Sequence, residues 1–169
     1  MTVRIVTDST ADLTPEQANE SGITVVPLTV FFGDEAYLDN VELDNASFYR
    51  KLEAGKELPR TSQPAPAAFQ AAFTRLIEEG ATAIISVHLS SQLSGTYQSA
   101  LTARDTLPED VRKIPIEVLD SRTISGAMAL GLFKAAEEAR QGASLEEIKD
   151  HLIDQYARTH IIAVLDTLE

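Results

Sequence analysis

"TAIISVHLSSQLSGTYQSA", residues 82–100, decides the fold class of this chain. Its first part, 82–89, is a nearly continuous apolar run, which is typical of a strand buried on both faces of a parallel sheet. The next part, 90–96, holds four hydroxyl side chains and one glycine. A helix is predicted to begin there, at Ser94 or Thr96, and to end near Leu107. A strand, a polar turn and a helix in this order indicate one unit of an α/β fold.

The rest of the chain repeats this alternation. Strands are predicted at 3–7, 23–32, 114–120 and 161–165. We expect 23–32 at a sheet edge or a bulge, because Pro27 cannot donate a ladder hydrogen bond. Caps, prolines and glycines mark helices at 14–22, 44–55, 66–80, 124–142 and 144–158. This order predicts an α/β fold, a three-layer sandwich with a mostly parallel sheet and right-handed crossovers.

The composition excludes several classes of function. The formal net charge of −12 opposes binding to nucleic acid or to an anionic membrane surface, since both need cationic side chains. No cysteine is present, so disulfides, thiolate metal sites and cysteine nucleophiles are excluded. No apolar stretch approaches the roughly 18 residues that span a bilayer, and the first residues, MTVRIVTDS, hold no signal-peptide core. We therefore expect a cytoplasmic protein without stable membrane insertion.

Four hydroxyl-rich segments stand where ligands bind in open α/β sheets, beyond the carboxyl ends of strands. Three follow predicted strands and the fourth precedes a helix: TDSTAD (7–12), SSQLSGT (90–96), DSRTISG (120–126) and RTSQPAP (60–66). Each segment alone is explained by turns and helix caps, with Asp120 or Ser121 as the expected cap of the following helix. SSQLSGT holds more hydroxyls than one cap needs, and Gly95 lets a ligand approach backbone N–H groups. The four together predict one shared site.

An alternative interpretation is that one of these hydroxyls belongs to a catalytic serine. His88, Ser94 and Asp120 supply the residue types of a Ser–His–Asp triad, which would make the chain a hydrolase or acyltransferase that uses Ser94. No G-x-S-x-G elbow is present, and a histidine at the end of an apolar strand is more simply explained as a structural residue. The histidines lack metal-ligand spacing, and Walker A and G-x-G-x-x-G motifs are absent, so we expect no metal and no cofactor. A scaffold domain without a ligand is a third alternative.

The combination of neutral hydroxyls and helix N-termini with Ala- and Leu-rich helices indicates a type of ligand. It favours a ligand that has a carboxylate attached to a long apolar body. Each hydrogen bond to a charged acceptor contributes about 1.5–3 kcal/mol. Each buried CH₂ of the tail adds about 0.8 kcal/mol, so a cationic side chain is not required. These residues do not separate a fatty acid from another amphiphilic acid.

The same segments resemble those of the DegV family of bacterial fatty-acid-binding proteins. The matching pieces cover essentially the whole chain in family order: VTDSTADL (6–13), NVELDNASFYRKL (40–52), LPRTSQPAP (58–66), HLSSQLSGTYQSA (88–100) and LDSRTISGAMALG (119–131). The resemblance implies two α/β domains with a long-chain fatty acid buried at their junction. It also implies a carrier, not an enzyme, that presents the fatty acid to a separate ATP-dependent fatty acid kinase, whose acyl phosphate product enters phospholipid synthesis.

Carried over to this sequence, the resemblance places the fatty acid carboxylate on Thr61, Ser62, Ser94 and the backbone of Gly95. Supporting hydroxyls are expected from Ser9, Ser91 and Ser121. Arg60 directly precedes Thr61. A position near the carboxylate is one alternative for its side chain, and a position facing solvent is the one that we expect. We expect residues 1–158 to form the first domain and 159–169 to begin a second domain that is otherwise absent from this chain.

Overall fold

The computed structural model describes residues 2–55, 58–109, 111–162 and 164. In chain order its strands and helices are β1 (Val3–Asp8), α1 (Pro15–Ser21), β2 (Ile23–Val26), β3 (Thr29–Phe32), β4 (Glu35–Leu38), α2 (Asn45–Ala54), β5 (Arg60–Ser62), α3 (Pro66–Glu78), β6 (Ala83–His88), α4 (Thr96–Asp105), β7 (Ile116–Asp120), α5 (Ser125–Arg140) and α6 (Leu145–Ala157). A short 3-10 turn, Ser9–Ala11, follows β1 directly.

A parallel sheet with strand order β2-β1-β6-β7 forms the centre of the fold. Every residue of β6 is buried, which explains the continuous apolar run in this part of the sequence. The registers pair Thr7 with Val87 and His88 with Asp120, so β1, β6 and β7 end at about the same level. The prediction of an α/β fold with a mostly parallel sheet is confirmed.

Helices cover both faces of this sheet and give the fold its three layers. On one face, α5 and α6 bury Leu132 and Ile148 against β1 and β6. On the other face, α3 and α4 bury Phe69, Phe73 and Ala103 against the same strands and β7. Successive strand residues point to opposite faces, so each central strand contributes side chains to both cores.

A second, small antiparallel sheet, with strand order β4-β3-β5, was not expected from the sequence. The single strand predicted at 23–32 is wrong in extent, because the chain divides at Pro27 into β2 and β3. β2 is the edge strand of the parallel sheet, as the proline indicated, while β3 belongs to the small sheet. This sheet matters for the site, because β5 carries the first residues of the TSQP segment.

Capping boxes stand at the start of two of the helices predicted from the sequence. Thr14 accepts the N–H of Gln17 at the start of α1, and the Gln17 side chain accepts the N–H of Thr14 in return. Ser144 and Glu147 make the same exchange at the start of α6. These boxes are encoded within four residues of sequence, so they can be recognised without any tertiary information.

The prediction that Asp120 or Ser121 caps α5 is wrong. The Asp120 carboxylate accepts the N–H of Arg122 at 2.8 Å, and the Ser121 hydroxyl accepts the N–H of Thr123 at 3.2 Å. Both side chains therefore stabilise the turn after β7 rather than the helix. The helix begins later, after Ile124, and has no side-chain cap.

The strand predicted at 161–165 lies partly outside the described residues. Residues 161, 162 and 164 have no strand structure, and 163 and 165 belong to the part that the structure does not describe. The division into a domain at 1–158 and the start of another at 159–169 stays a prediction. Across the described ranges, none of the helices combines the length and the apolar character needed to cross a membrane.

Candidate ligand-binding site

Three loops meet at the carboxyl edge of the parallel sheet because β1, β6 and β7 are neighbours that end together. Backbone hydrogen bonds join two of these loops: Ser121 N–H donates to the His88 carbonyl, and Ser90 N–H donates to the Thr123 carbonyl, each at 2.9 Å. The hydroxyl-rich segments after these strands therefore lie side by side. This is the edge at which open α/β sheets bind their ligands.

A cavity of about 660 Å³ opens at this edge, a size within the usual range for small-molecule sites. Its polar wall combines hydroxyl, amide and carboxylate side chains from five segments of the chain: Thr10, Asp12, Asp39, Thr61, Gln63, Ser94 and Ser125. Its apolar wall is formed by aliphatic side chains: Leu28, Val30, Leu89, Leu93 and Ile124. Gly95 also lines the cavity.

Thr61 reaches the cavity from β5, where it pairs with Val30 of β3. Gln63, two residues further on, also lines the cavity. Because side chains alternate along an extended chain, Ser62 lies between them on the opposite side of the strand, and it is not part of the cavity wall. The family resemblance assigned Thr61 and Ser62 to the carboxylate together, whereas of the two only Thr61 lines the cavity. Arg60 is exposed, as expected.

Ser94 is placed by the turn that starts α4. Its Oγ accepts the N–H of Thr96 at 3.3 Å and lies 3.0 Å from the Thr96 hydroxyl, which is fully buried. If the Thr96 hydroxyl donates to Ser94, the proton of Ser94 is free to donate into the cavity. Of these two hydroxyls only that of Ser94 lines the open space, so Ser94 is the one that can donate to a ligand.

Two contacts join the TSQP segment to the start of α4. The buried Ser99 hydroxyl of α4 donates to the Pro64 carbonyl at 2.5 Å. Gly95 packs against Gln63 so closely that a β-carbon at Gly95 would lie 3.0 Å from the Gln63 amide nitrogen. These contacts bring Thr61 and Ser94 to the same cavity. The role of Ser99 could not be predicted from the sequence, since its partner lies 35 residues away along the chain.

The three supporting serines occupy different environments. Ser9 is buried, and its Oγ accepts the N–H of Leu28 at 3.1 Å. Ser121 is buried in the turn after β7, and Ser91 is exposed on the loop after β6. None of the three belongs to the cavity wall formed by the described residues.

The residues of the hydrolase hypothesis do not assemble. Both ring nitrogens of His88 are engaged, Nδ1 by Asp8 at 2.9 Å and Nε2 by Ser86 at 2.7 Å. These three side chains are fully buried, so the triad-like arrangement has no access to a substrate. Ser94 pairs with Thr96 instead, and Asp120 accepts N–H groups from Ser91 and Arg122. His88 is a structural histidine.

The electrostatic character of the cavity is acidic. Asp12 and Asp39 both line it, and no Lys, Arg or His side chain is found among the described residues of its wall. Burial raises the pKa of Asp39 above its usual range, and the negative charge of Asp12 adds to this effect, while a hydrogen bond from Ser9 opposes it. An anionic head group in this cavity must therefore depend on hydroxyl and backbone donors.

Comparison with known proteins gives consistent matches. A family model described as "Uncharacterised protein, DegV family" matches residues 2–169. A DegV domain-containing protein of Halalkalibacterium halodurans is 46% identical over 166 residues, which cover 98% of this chain and 57% of that protein. The crystal structure of DegV, a fatty acid binding protein from Bacillus subtilis, superposes with a TM-score of 0.85 at 35% identity and covers 93% of this chain and 54% of that one.

A further structural match is the B3 protein of the Streptococcus pneumoniae fatty acid kinase, solved loaded with linoleic acid. Its TM-score is 0.78 at 30% identity, with 93% of this chain and 55% of that chain covered. The chain spans about half the length of the relatives it matches.

Proposed function

The chain belongs to the DegV family, and on that premise we propose that its cavity binds a long-chain fatty acid. The carboxylate is held by the hydroxyls of Thr61 and Ser94 and by the backbone N–H of Gly95. The alkyl chain lies along the aliphatic wall that includes Leu28 and Leu89. Ser62, which the family resemblance also assigned to the carboxylate, is omitted from this set because it does not line the cavity.

The observation that carries this proposal is the convergence of Thr61 and Ser94 on one cavity with an aliphatic wall. Each hydroxyl that donates to a carboxylate contributes about 1.5–3 kcal/mol. Each methylene buried against the wall adds about 0.8 kcal/mol, so the tail supplies the larger part of the affinity. Because no cationic side chain is among the described residues of the wall, the head group depends on these neutral donors.

A titration with oleate tests the proposal. Ser94→Ala and Thr61→Val each remove one donor, and each is expected to weaken binding by about 10- to 150-fold. Ser91→Ala is the matched control, because Ser91 is an exposed serine of the same loop outside the cavity wall. Wild-type affinity in both cavity variants, or an equal loss in the control, would show that the head group binds elsewhere.

The chain acts as a carrier that presents its fatty acid to a fatty acid kinase in the cytoplasm, where ATP is available. The similarity to the B3 protein of the Streptococcus pneumoniae fatty acid kinase supports this part of the proposal. The hydroxyls hold the carboxylate in place, and the kinase transfers the terminal phosphoryl group of ATP to it, releasing ADP. The product, an acyl phosphate, then serves phospholipid synthesis.

The kinase step is measured with radiolabelled oleate, ATP and a bacterial fatty acid kinase, with hydroxylamine added to trap the acyl phosphate as a hydroxamate. We expect hydroxamate only when this chain is present together with the kinase. Equal hydroxamate formation without the chain would contradict a carrier role. Hydroxamate formed by the chain and ATP alone would contradict its assignment as a non-catalytic partner.

A further inference from the structure

The structure contains a buried polar cluster that the proposed function does not use. Asp8 at the end of β1, together with Ser86 and His88 of β6, has no solvent-exposed surface. Nδ1 of His88 lies 2.9 Å from the Asp8 carboxylate, and Nε2 lies 2.7 Å from the Ser86 hydroxyl. Buried ionisable groups are costly unless they are fully hydrogen-bonded, so such a cluster calls for an explanation.

Both ring nitrogens of His88 have a hydrogen-bond partner. The Asp8 carboxylate only accepts hydrogen bonds, so Nδ1 donates to it, while the Ser86 hydroxyl can either donate to or accept from Nε2. The ring also packs edge-on against Phe69 of α3 with the centroids 4.9 Å apart. His88 is therefore held by β1, β6 and α3 together, and α3 is the helix that follows the TSQP segment.

The same carboxylate holds two residues of the cavity wall. One oxygen of Asp8 accepts the N–H of Thr10 at 3.0 Å and the Thr10 hydroxyl at 2.6 Å. The other oxygen accepts the N–H of Leu89 at 3.2 Å in addition to His88. Thr10 and Leu89 both line the cavity, one on its polar wall and one on its apolar wall.

We propose that Asp8 and His88 are a positioning pair for the ligand cavity. His88 fixes the rotamer of Asp8, and Asp8 fixes Thr10 and Leu89, one polar and one apolar residue of the cavity wall. The pair touches no ligand, and its effect on affinity passes through these two wall residues. This effect on affinity rests on the proposed fatty acid binding, whereas the effect on Thr10 and Leu89 does not.

A matched pair of substitutions separates the hydrogen bond from the volume of the ring. His88→Asn keeps an N–H donor near the position of Nδ1, and His88→Leu has nearly the same shape without the donor. For His88→Leu we expect binding of oleate to weaken by about 10-fold, by analogy with metal sites, where loss of a residue that orients a ligand costs about 10- to 100-fold. His88→Asn is expected to retain most of the affinity.

A stability control distinguishes positioning from general destabilisation. Leu152→Ala truncates a buried side chain of α6 that does not line the cavity, so it lowers stability without touching Asp8. At a temperature where all variants are folded by circular dichroism, Leu152→Ala is expected to bind oleate as the wild type does. Thr10→Val replaces His88→Leu if the latter fails to fold, because it removes only one hydrogen bond to Asp8.

Amide hydrogen exchange without ligand gives a readout that is independent of fatty acid binding. In His88→Leu we expect the Leu89 and Thr10 amides to exchange faster by about 10-fold or more than in His88→Asn and in the wild type. In Thr10→Val the Leu89 amide is expected to stay protected while oleate affinity falls. Unchanged exchange and affinity in a folded His88→Leu, or equal losses in Leu152→Ala, would overturn the proposal. Faster exchange with no oleate binding by the wild type would instead refute the proposed function alone.

Discussion

Gly131→Ala tests the close packing of α6 on Gly131 of α5. This packing bears on the site because Ser125, the first residue of α5, lines the cavity. A β-carbon at Gly131 would lie 2.6 Å from Cζ and 2.9 Å from Cε1 of Tyr156. Tyr156 is buried, and its hydroxyl donates a hydrogen bond to the Met128 carbonyl at 2.9 Å. The substitution therefore forces the ring away from α5 and stretches or breaks this hydrogen bond.

The expected free-energy change combines three effects. Overpacking of a well-packed core costs about 1–3 kcal/mol, and the lost hydrogen bond costs about 0.5–1.5 kcal/mol. The higher helix propensity of alanine offsets about 1 kcal/mol of this. The net effect is destabilisation by roughly 2 kcal/mol, which lowers Tm by about 4–8 °C in a chain of this size.

Urea unfolding followed by circular dichroism measures this change. Gly126→Ala is the control in the same helix, because a β-carbon at Gly126 meets nothing within 4 Å. We expect the control to be as stable as the wild type, or more stable by up to about 1 kcal/mol. If Gly131→Ala proved as stable as this control, the close packing of Tyr156 on α5 would be refuted.

Three further variants probe the site. Ser99→Ala leaves the buried Pro64 carbonyl without its partner, so we expect a loss of about 1–3 kcal/mol in unfolding free energy and weaker oleate binding; a neutral result in both assays would refute its bridging role. Thr96→Val keeps the backbone N–H that donates to Ser94 but removes the hydroxyl that contacts it. Oleate binding should therefore weaken by about 2- to 12-fold. The control, Ser91→Ala, should bind oleate as the wild type does. Burial raises the pKa of Asp39 above its ordinary value of 3.8, so the ionised form destabilises the folded state at neutral pH. Asp39→Asn should therefore stabilise the chain at pH 7, with a gain that shrinks as the pH falls towards 4; a gain that grows on acidification would contradict this sign.

The parallel sheet and its helices could be predicted because their signals are local. The apolar run of β6 and the Thr14–Gln17 and Ser144–Glu147 boxes each lie within a few neighbouring residues. The small sheet could not be predicted in the same way. β3 and β4 have four residues each and β5 has three, which is too short for an alternating pattern to stand out, and β5 lies within the polar TSQP segment.

The candidate site was predictable as a location and only partly as a set of residues. The hydroxyl-rich segment that holds Ser94 follows a parallel strand, so its place at the carboxyl edge of the sheet could be predicted from topology. Thr61 was assigned to the same site by the family resemblance, because its segment does not follow a strand of the parallel sheet. Which side chains face the cavity depends on tertiary contacts. Ser62 points away because β5 is extended, and Asp39 lines the cavity without any sequence signal that marked it. The Ser99–Pro64 and Asp8–His88 contacts join distant parts of the chain, so local patterns do not reveal them.

The carbon-13 spectrum of carboxyl-labelled oleic acid, recorded with increasing amounts of the chain, tests the central claim most directly. A carboxylate held by the hydroxyls of Thr61 and Ser94 is expected to give a single bound resonance, distinct from the free acid, that saturates at one equivalent. In Ser94→Ala this resonance should shift and broaden, because the head group loses one donor. A spectrum that shows only the free acid at every protein concentration would contradict the account, as would a bound resonance that neither Ser94→Ala nor Thr61→Val alters.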